Sequence, residues 1–452
     1  MFEFKNICQY AFLALFLFFP TLVVANPSSQ AFLALSDIHF TPYDHCSWFH
    51  SCPLIQKLEA APVQQWVNIF RQYDTTVPSR YGLDTNSALF NSTLNEINAL
   101  PKTYHFAIIT GDFLAHAYRL KFIWFAKDLS QHDYQQFVNK TYEYLQLRLQ
   151  EATSNVPVYI TLGNNDSYQG DYYSDPGGSF YEIMSQRVAQ MNQGLDETNF
   201  KQTFSKAAYY AIKPNANSQN RILFLNTTLF SIYANGKHIA KGAQQEFIWL
   251  NAQLESAKQG KYKVWLIDHI PNGIDAYRST HKEKAIPLWQ SQYNSAFLKL
   301  ITQYPNTITA IITAHVHMDG FQFLSLSPQK QLLDTFIPSI SPIYGNNPAF
   351  KVYEYNPDSM ELSNFQTYYL NESTDKWTLE YDFNSTYQPN CDKCEISTAY
   401  SMITSSGWRT DKYKRYYAVS TNSQAITKNG WLPYYWCATQ YQTKREYTDC
   451  SR

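Results

Sequence analysis

Ile308-Thr309-Ala310-Ile311-Ile312-Thr313-Ala314-His315-Val316-His317 carries an apolar, β-branched run straight into two histidines. The run reads as a buried strand. His315 and His317, two apart on an extended chain, project to the same side and can flank a metal pair. Four other runs end in the same manner. Phe32–Leu35 leads to Asp37-Ile38-His39, and Phe106–Thr110 to Gly111-Asp112. Val158–Leu162 leads to Gly163-Asn164-Asn165-Asp166, and Val264–Ile267 to Asp268-His269. Strand ends are where a rigid scaffold holds ligands still. Asp37, Asp112, Asn164, His39, His269, His315 and His317 form a mixed oxygen and nitrogen donor set. Such a set suits zinc, manganese or iron rather than calcium.

Each element alone is weak. Asp-x-His is common by chance, and a lone histidine such as His269 is more often a hydrogen-bonded structural residue. The metal reading rests on all five elements in order, each at a strand end. His105, His132, His238 and His281 read as surface or packing residues, and His45 and His50 as decoration of the loop after Asp37-Ile38-His39.

The strand-like runs alternate with helical stretches such as Phe122–Gln150 and Ala243–Lys258, the pattern of sheets covered by helices. Phe321–Leu326, Gln331–Ile337 and Lys351–Tyr355 read as antiparallel strands. From about Tyr387 the chain turns rich in Tyr, Trp and Ser. This tail reads as a disulfide-stapled helical cap over residues 387–452, packed back on a catalytic body spanning 26–386.

The chain has 452 residues, enough for a large core. A net charge of −1 gives no electrostatic reason to expect a nucleic-acid polymer as partner. Aromatic content of 17%, with 36 tyrosines, points to aromatic-lined clefts as well as core. Lys5, the apolar stretch Ala11–Phe19 and Val23-Val24-Ala25 lay out a secretory signal peptide over residues 1–25, with an uncleaved anchor as the alternative. No later segment is long and apolar enough for a membrane span. The expected location is secreted, periplasmic or lumenal.

Beyond the signal, six cysteines remain: Cys46, Cys52, Cys391, Cys394, Cys437 and Cys450. An even number in an exported chain implies disulfides. Local pairing joins Cys46–Cys52, Cys391–Cys394 and Cys437–Cys450, among about fifteen possible connectivities. Sequons stand at Asn91, Asn139, Asn226, Asn371 and Asn384, and a sixth falls on Asn165.

Asp-x-His, Gly-Asp, Gly-Asn-x-Asp, a lone His and His-x-His, in this order, resemble the calcineurin-like metallophosphoesterase superfamily. Within it the chain is most similar to the acid sphingomyelinase-like phosphodiesterases. The supporting stretches are Gly111-Asp112-Phe113-Leu114-Ala115-His116, Asp268-His269-Ile270-Pro271-Asn272-Gly273, and Pro338-Ser339-Ile340-Ser341-Pro342 running into Gly345-Asn346-Asn347-Pro348-Ala349-Phe350. The resemblance implies a four-layer α/β/β/α sandwich with two divalent metals at the strand ends. One would be held by Asp37, His39, Asp112 and His317, the other by Asp112, Asn164, His269 and His315. Two metals can activate a shared water and neutralise charge on a phosphoryl group.

Two departures from the family pattern stand out. The position after the metal-binding Asn usually carries His and is Asn165 here. An amide cannot titrate usefully, so His116 is the expected general acid, while Asn165 is left to hold a phosphoryl oxygen. Gly82-Leu83-Asp84 lacks the Cys that relatives carry before the Asp, which supports local pairing of Cys46 and Cys52. The expected substrate is a phosphorylated small molecule or lipid: a nucleotide, a polyphosphate or a sphingomyelin-type diester. Tyr43, Trp48, Phe49, Tyr168 and Tyr344 are candidates for its aromatic rim, with ordinary packing as the alternative for each. A metal-containing binding protein weakened in turnover through Asn165 is the competing reading.

Overall fold

The computed structural model describes residues 29–47, 50–73, 77–101, 103–127, 130–192, 195, 197–371, 373–387, 396–403, 407–421, 426 and 430–452. The signal-like segment, Trp48, Phe49, Cys391 and Cys394 lie outside them.

Two six-stranded sheets carry the fold. The first runs, in spatial order, Lys376–Asp382, Leu362–Asn371, Ala349–Tyr355, Gln30–Leu35, Ala107–Ile109, Val158–Ile160. The second runs Phe321–Ser327, Lys330–Phe336, Ile308–Thr313, Val264–Ile267, Arg221–Phe224, Tyr210–Ile212. The strands that end in the polar motifs are parallel neighbours. Gln30–Leu35 pairs with Ala107–Ile109, which pairs with Val158–Ile160, and Val264–Ile267 pairs with Ile308–Thr313. All five motifs therefore leave their sheets at the carboxyl ends, the usual place for a ligand in an open α/β sheet.

Strand alternation decides which side chains meet between the sheets. Phe32 reaches Trp265 across the interface at a ring separation of 5.3 Å, and Trp265 meets Tyr355 at 4.9 Å. The other face of the second sheet, through Leu223, Leu266 and Ile311, packs on Leu250 and Leu254 of the helix Ile239–Gly260 and on Phe297 of the helix Ser291–Ile301. Helices such as Trp66–Tyr73 and Gln131–Ala152 cover the first sheet, with Trp66, Phe70, Phe137 and Tyr144 buried. This is the expected α/β/β/α sandwich.

Two local expectations are corrected, and one sequon is placed. Phe122–Gln150 is two helices, Tyr118–Ala126 and Gln131–Ala152. Lys127 turns into the left-handed region at φ 58°, and the Ser130 side chain accepts from Asp133 N to start the second helix. Lys330–Phe336 is antiparallel to Phe321–Ser327 but parallel to Ile308–Thr313. Asn226 is buried, and its amide nitrogen donates to Tyr181 Oη and the Ala207 carbonyl, so this sequon is closed to a glycan in the folded chain.

The tail forms the helices Ile396–Ser401, Trp408–Tyr417, Leu432–Gln440 and Lys444–Ser451, the last two joined by Cys437–Cys450. Tyr400 stacks on Phe321 at 4.0 Å and Tyr416 on Tyr381 at 4.4 Å, so the helices lie against both sheets. The other described disulfide is Cys46–Cys52. Both follow the local pairing.

Candidate metal centre

Three of the five strand ends deliver their side chains through a sharp reversal of the backbone. Asp37, His39, Asp112, His315 and His317 all have positive φ, between 45° and 66°. Such a conformation costs an L residue about 1–3 kcal/mol and persists only where its surroundings impose it. The surroundings are specific. Asp37 N donates to Gly111 O and His39 N to Asp112 O, which ties the first two motifs together. Ser341 N and Ser339 Oγ both donate to the Asp37 carbonyl. The Pro338–Pro342 stretch, which carried the family resemblance without a metal role, is thus a clamp on the Asp37 turn.

Two glycines let the loops approach. A Cβ on Gly111, at φ 91°, would lie 2.4 Å from Gly163 N, and a Cβ on Gly163 would lie 2.1 Å from Asp112 Oδ1. Both distances are far inside van der Waals contact, so only glycine fits.

The seven expected ligands come together. Asp37, His39 and His317 offer donor atoms mutually within 4.8 Å, and Asp112, His269 and His315 form a second such cluster. Asp112 Oδ2 lies 3.4 Å from Nε2 of both His39 and His269, between the two clusters. Asn164 Oδ1 lies 3.2 Å from His269 Nε2. Two of the four rings are anchored through Nδ1: that of His269 is 2.6 Å from the Thr110 carbonyl, and that of His39 is 3.2 Å from that of Leu114. These contacts fix tautomer and ring orientation, as around metal-bound imidazoles.

The donor chemistry fits a cation. His39 Nε2 and His317 Nε2 face each other at 3.3 Å, both within reach of Asp37 Oδ1, which is buried and accepts no hydrogen bond. Burial opposes a charge on His39, yet the neighbouring Asp37 and Asp112 carboxylates outweigh that and raise it to about 9. Burial likewise opposes a charge on His269, and the charge and hydrogen bond of Asp112 raise it to about 9. The carboxylates thus demand positive charge at two points, while His315, held down to about 3 chiefly by burial, stays a neutral donor.

Two residues that sequence reasoning passed over organise the site. Asp166 is buried and accepts from Asp112 N at 2.8 Å, Phe113 N at 2.9 Å, Gly163 N at 2.8 Å and Tyr142 Oη at 2.6 Å. It pins two ligand loops to each other; its place in the Gly163–Asp166 motif was the only sequence signal. Asp84 lies 2.8 Å from His116 Nδ1, and Lys121 Nζ donates to its other oxygen at 2.7 Å. His116 Nε2 is 3.2 Å from Tyr344 Oη, and the ring stacks on His39 at 4.3 Å. Asn165 holds Asp112 with two bonds, N to Oδ1 at 2.7 Å and Nδ2 to Oδ2 at 2.8 Å, and its own Oδ1 is buried without a partner.

The clusters open into a cavity of about 850 Å³ that Asp112, Asn164, Asn165, His116, His315 and His317 line at one end. Tyr172, Tyr233, Tyr277, Tyr344 and Trp431 line its walls, together with Arg278, which lies over the Tyr233 ring at 4.9 Å. Of the expected rim residues, Tyr344 is there, 57% exposed. Tyr43 and Tyr168 are core: Tyr43 packs on Tyr118 and Phe125, and Tyr168 donates to Asn139.

Residues 31–319 match the calcineurin-like phosphoesterase family, and residues 331–452 match the acid sphingomyelin phosphodiesterase C-terminal region. The sphingomyelinase phosphodiesterase D of Dictyostelium discoideum is 29% identical over 322 residues, covering 68% of this chain and 67% of that protein. The cyclic GMP-AMP phosphodiesterase SMPDL3A of Bos taurus is 25% identical over 455 residues, covering 94% of this chain and 92% of that protein. The acid sphingomyelinase-like phosphodiesterase 3b of Mus musculus is 24% identical over 448 residues, covering 94% and 91%. The strand-end clusters and these matches agree: the chain belongs to the calcineurin-like phosphoesterase family, in its acid sphingomyelinase-like branch, and is a hydrolase.

Proposed function

We propose that the chain is an exported dinuclear-metal phosphodiesterase that cleaves phosphodiester or phosphoanhydride bonds in nucleotide-type or sphingomyelin-type substrates. The observation that carries this reading is Asp112, whose Oδ2 stands 3.4 Å from a histidine of each cluster. A carboxylate has lone pairs enough to serve both. Asp37, His39, Asp112 and His317 would hold one divalent ion, and Asp112, Asn164, His269 and His315 the other, with zinc, manganese and iron as the suitable identities. When bound, such a pair supplies an activated water nucleophile and neutralises charge on the phosphoryl oxygens.

The chain's own groups do the rest. Asp84 fixes Nδ1 of His116, which leaves Nε2 facing the cavity to protonate the leaving oxygen. Asn165 keeps Asp112 in place through its backbone N–H and its amide. The tyrosine walls offer flat surfaces on which a nucleobase can stack, or a cage for a quaternary ammonium. The helical segment beyond residue 387 contributes Tyr417 and Trp431 to those walls and acts as the cap. The disulfides Cys46–Cys52 and Cys437–Cys450 support export to an oxidising compartment.

The test is metal content together with hydrolysis of bis-(p-nitrophenyl) phosphate, for the wild-type chain and for Asp112→Asn. The expected result is two ions per chain with turnover, and loss of both in the variant. A chain that retains two ions and turns over no diester overturns the reading. A product screen over sphingomyelin, nucleoside triphosphates, cyclic dinucleotides and polyphosphate then identifies the substrate.

A further inference from the structure

One wall of the cavity carries a cation outside the metal centre. Arg278 stands on the short helix Ala276–Lys282, which Asp275 caps by accepting from Arg278 N at 2.8 Å through Oδ1. The other oxygen of Asp275, Oδ2, is 3.5 Å from Arg278 Nε. The guanidinium lies over the Tyr233 ring at 4.9 Å and lines the cavity, its side chain 48% exposed. From there the wall runs back to the metal centre ring by ring. Tyr233 packs on Tyr172 at 5.3 Å, and Tyr172 meets His315 of the second cluster at 6.3 Å. Tyr344 meets His317 of the first cluster at 4.6 Å. Burial raises the hydroxyls of Tyr172 and Tyr344, and the charge of Arg278 opposes the rise at both. The guanidinium is thus within electrostatic reach of the rings that flank the two clusters.

Its chemistry limits what it can take. Arg278 already occupies the Tyr233 face that a quaternary ammonium would use, and a second cation there would be repelled. A planar fork of donors suits an oxyanion instead. Among the described residues Asp275 is the one carboxylate paired with it, and one oxygen of Asp275 is committed to the helix cap. Asp171 also lines the cavity, and the largest charge acting on it is that of His116. An anion is therefore disfavoured near Asp171 and drawn toward Arg278.

We infer that Arg278 binds a second phosphate of the substrate whose reacting phosphoryl group sits at the metal centre, and so selects doubly anionic, nucleotide-type substrates over those with a cationic headgroup. This rests on the phosphodiesterase reading and deepens it: of the two substrate types that reading allows, the charge on the cavity wall favours one.

The experiment compares kcat/KM of the metal-loaded full chain for three esters with one leaving group. They are the p-nitrophenyl ester of thymidine monophosphate, the same ester with a second phosphate on the free deoxyribose hydroxyl, and p-nitrophenyl phosphorylcholine. All three release nitrophenolate, so differences between them report recognition rather than leaving-group chemistry. Wild type should favour the doubly anionic ester over the singly anionic one by about tenfold, chiefly through KM, and the preference should shrink as salt is raised. Arg278→Gln should lower that preference by about tenfold and raise the rate on the phosphorylcholine ester relative to the thymidine ester. Arg278→Lys, which keeps the charge and loses the fork, should fall between them. Each preference is a ratio within one preparation, so it does not depend on the fraction of chains that fold. A merely structural role in the helix cap would lower all three rates together and leave the preference intact, which overturns the inference. Turnover with a wild-type preference for the phosphorylcholine ester overturns it as well, and in both cases the phosphodiesterase reading stands. No turnover of any of the three esters overturns both.

Discussion

Asp84 Oδ1 stands 2.8 Å from Nδ1 of His116, so the imidazole presents its other nitrogen to the cavity in a fixed orientation. Burial would raise the Asp84 carboxyl, but the His116 bond and the Lys121 charge overcome it and hold the group well below the ordinary carboxylate range. Asp84 is therefore a carboxylate, held between the His116 ring and the Lys121 ammonium.

Asp84→Asn should consequently act through His116. It removes the charge behind the ring and leaves a neutral amide at Nδ1. The loss in kcat should reach about 10²-fold for an alkyl phosphodiester, and stay small for bis-(p-nitrophenyl) phosphate, whose leaving group hardly needs a proton. His116→Gln should follow the same pattern more strongly. Equal losses on both substrates would refute the general-acid role.

Gly163→Ala tests the close approach of the ligand loops. The added methyl would sit 2.1 Å from Asp112 Oδ1, so Asp112 or the Asn164 turn must move. Since both Asp112 and Asn164 belong to the second cluster, metal retention after dialysis should drop by at least about tenfold. The fold, held by sheets that do not include Gly163, should persist by circular dichroism. Undiminished metal content in the variant would show that the loops are looser than the structure has them.

How far this architecture was legible depends on the kind of signal. The parallel strands were visible because a buried strand is written as a continuous apolar run, and Ile308–Ala314 and Val264–Ile267 are of that kind. Leu362–Asn371 and Lys376–Asp382 were not: they mix polar with aromatic residues, and Lys376–Asp382, the edge strand, has one buried residue, Tyr381. The metal ligands were visible because side-chain chemistry names them. Asp166 and Asp84 were not, because their work is to accept hydrogen bonds from partners as distant as Asp112 and His116, and a carboxylate looks the same in sequence whatever it faces. The helix break between Ala126 and Gln131 was missed because Lys127-Asp128-Leu129-Ser130 holds no Gly or Pro, and the Ser130 cap is its mark in the sequence.

Glu246 predicts a pH dependence of stability that the sequence does not announce. It is fully buried, and burial raises it from an ordinary 4.5 to about 8, although Asn226 N donates to it. The folded chain thus keeps a proton that the unfolded chain releases above about 4.5. Its contribution to stability is complete below that pH and is lost as pH rises toward about 8, with a total on the order of a few kcal/mol. Glu246→Gln removes the dependence while leaving an oxygen to accept from Asn226 N. The stability of Glu246→Gln relative to wild type, from urea unfolding at pH 5 and pH 8, should therefore be near zero at the lower pH and clearly positive at the higher. A difference independent of pH would show that Glu246 is charged in the fold. Asp334, raised by burial to about 7, adds to the same trend in both chains and cancels in the comparison.

Lys351 and Asp319 form an ion pair at 2.6 Å with both side chains fully buried. Burial pushes the Lys351 ammonium below its ordinary value, and the charge of Asp319 opposes that shift. Lys351 also donates to the Phe336 carbonyl and lies over the Phe365 ring at 4.0 Å. Asp319 accepts from Thr367 Oγ1 and Tyr381 Oη, and its backbone N–H donates to Tyr417 O in the C-terminal helices. Because Asp319 follows His317 by two residues, this pair joins the edge of the metal centre to the first sheet and the tail at once. Replacing one partner strands the other as an uncompensated buried charge, which typically costs about 3–5 kcal/mol. Lys351→Met should destabilise by that amount, and the loosened Asp319 turn should weaken metal retention through His317. Adding Asp319→Asn to Lys351→Met removes the stranded charge and should recover a large part of the stability, because the amide still accepts from Thr367 and Tyr381. Urea midpoints of the wild type, both single variants and the double variant complete the cycle. A cost below about 1 kcal/mol for Lys351→Met, or no recovery in the double variant, would mean that the pair is not what fixes this turn.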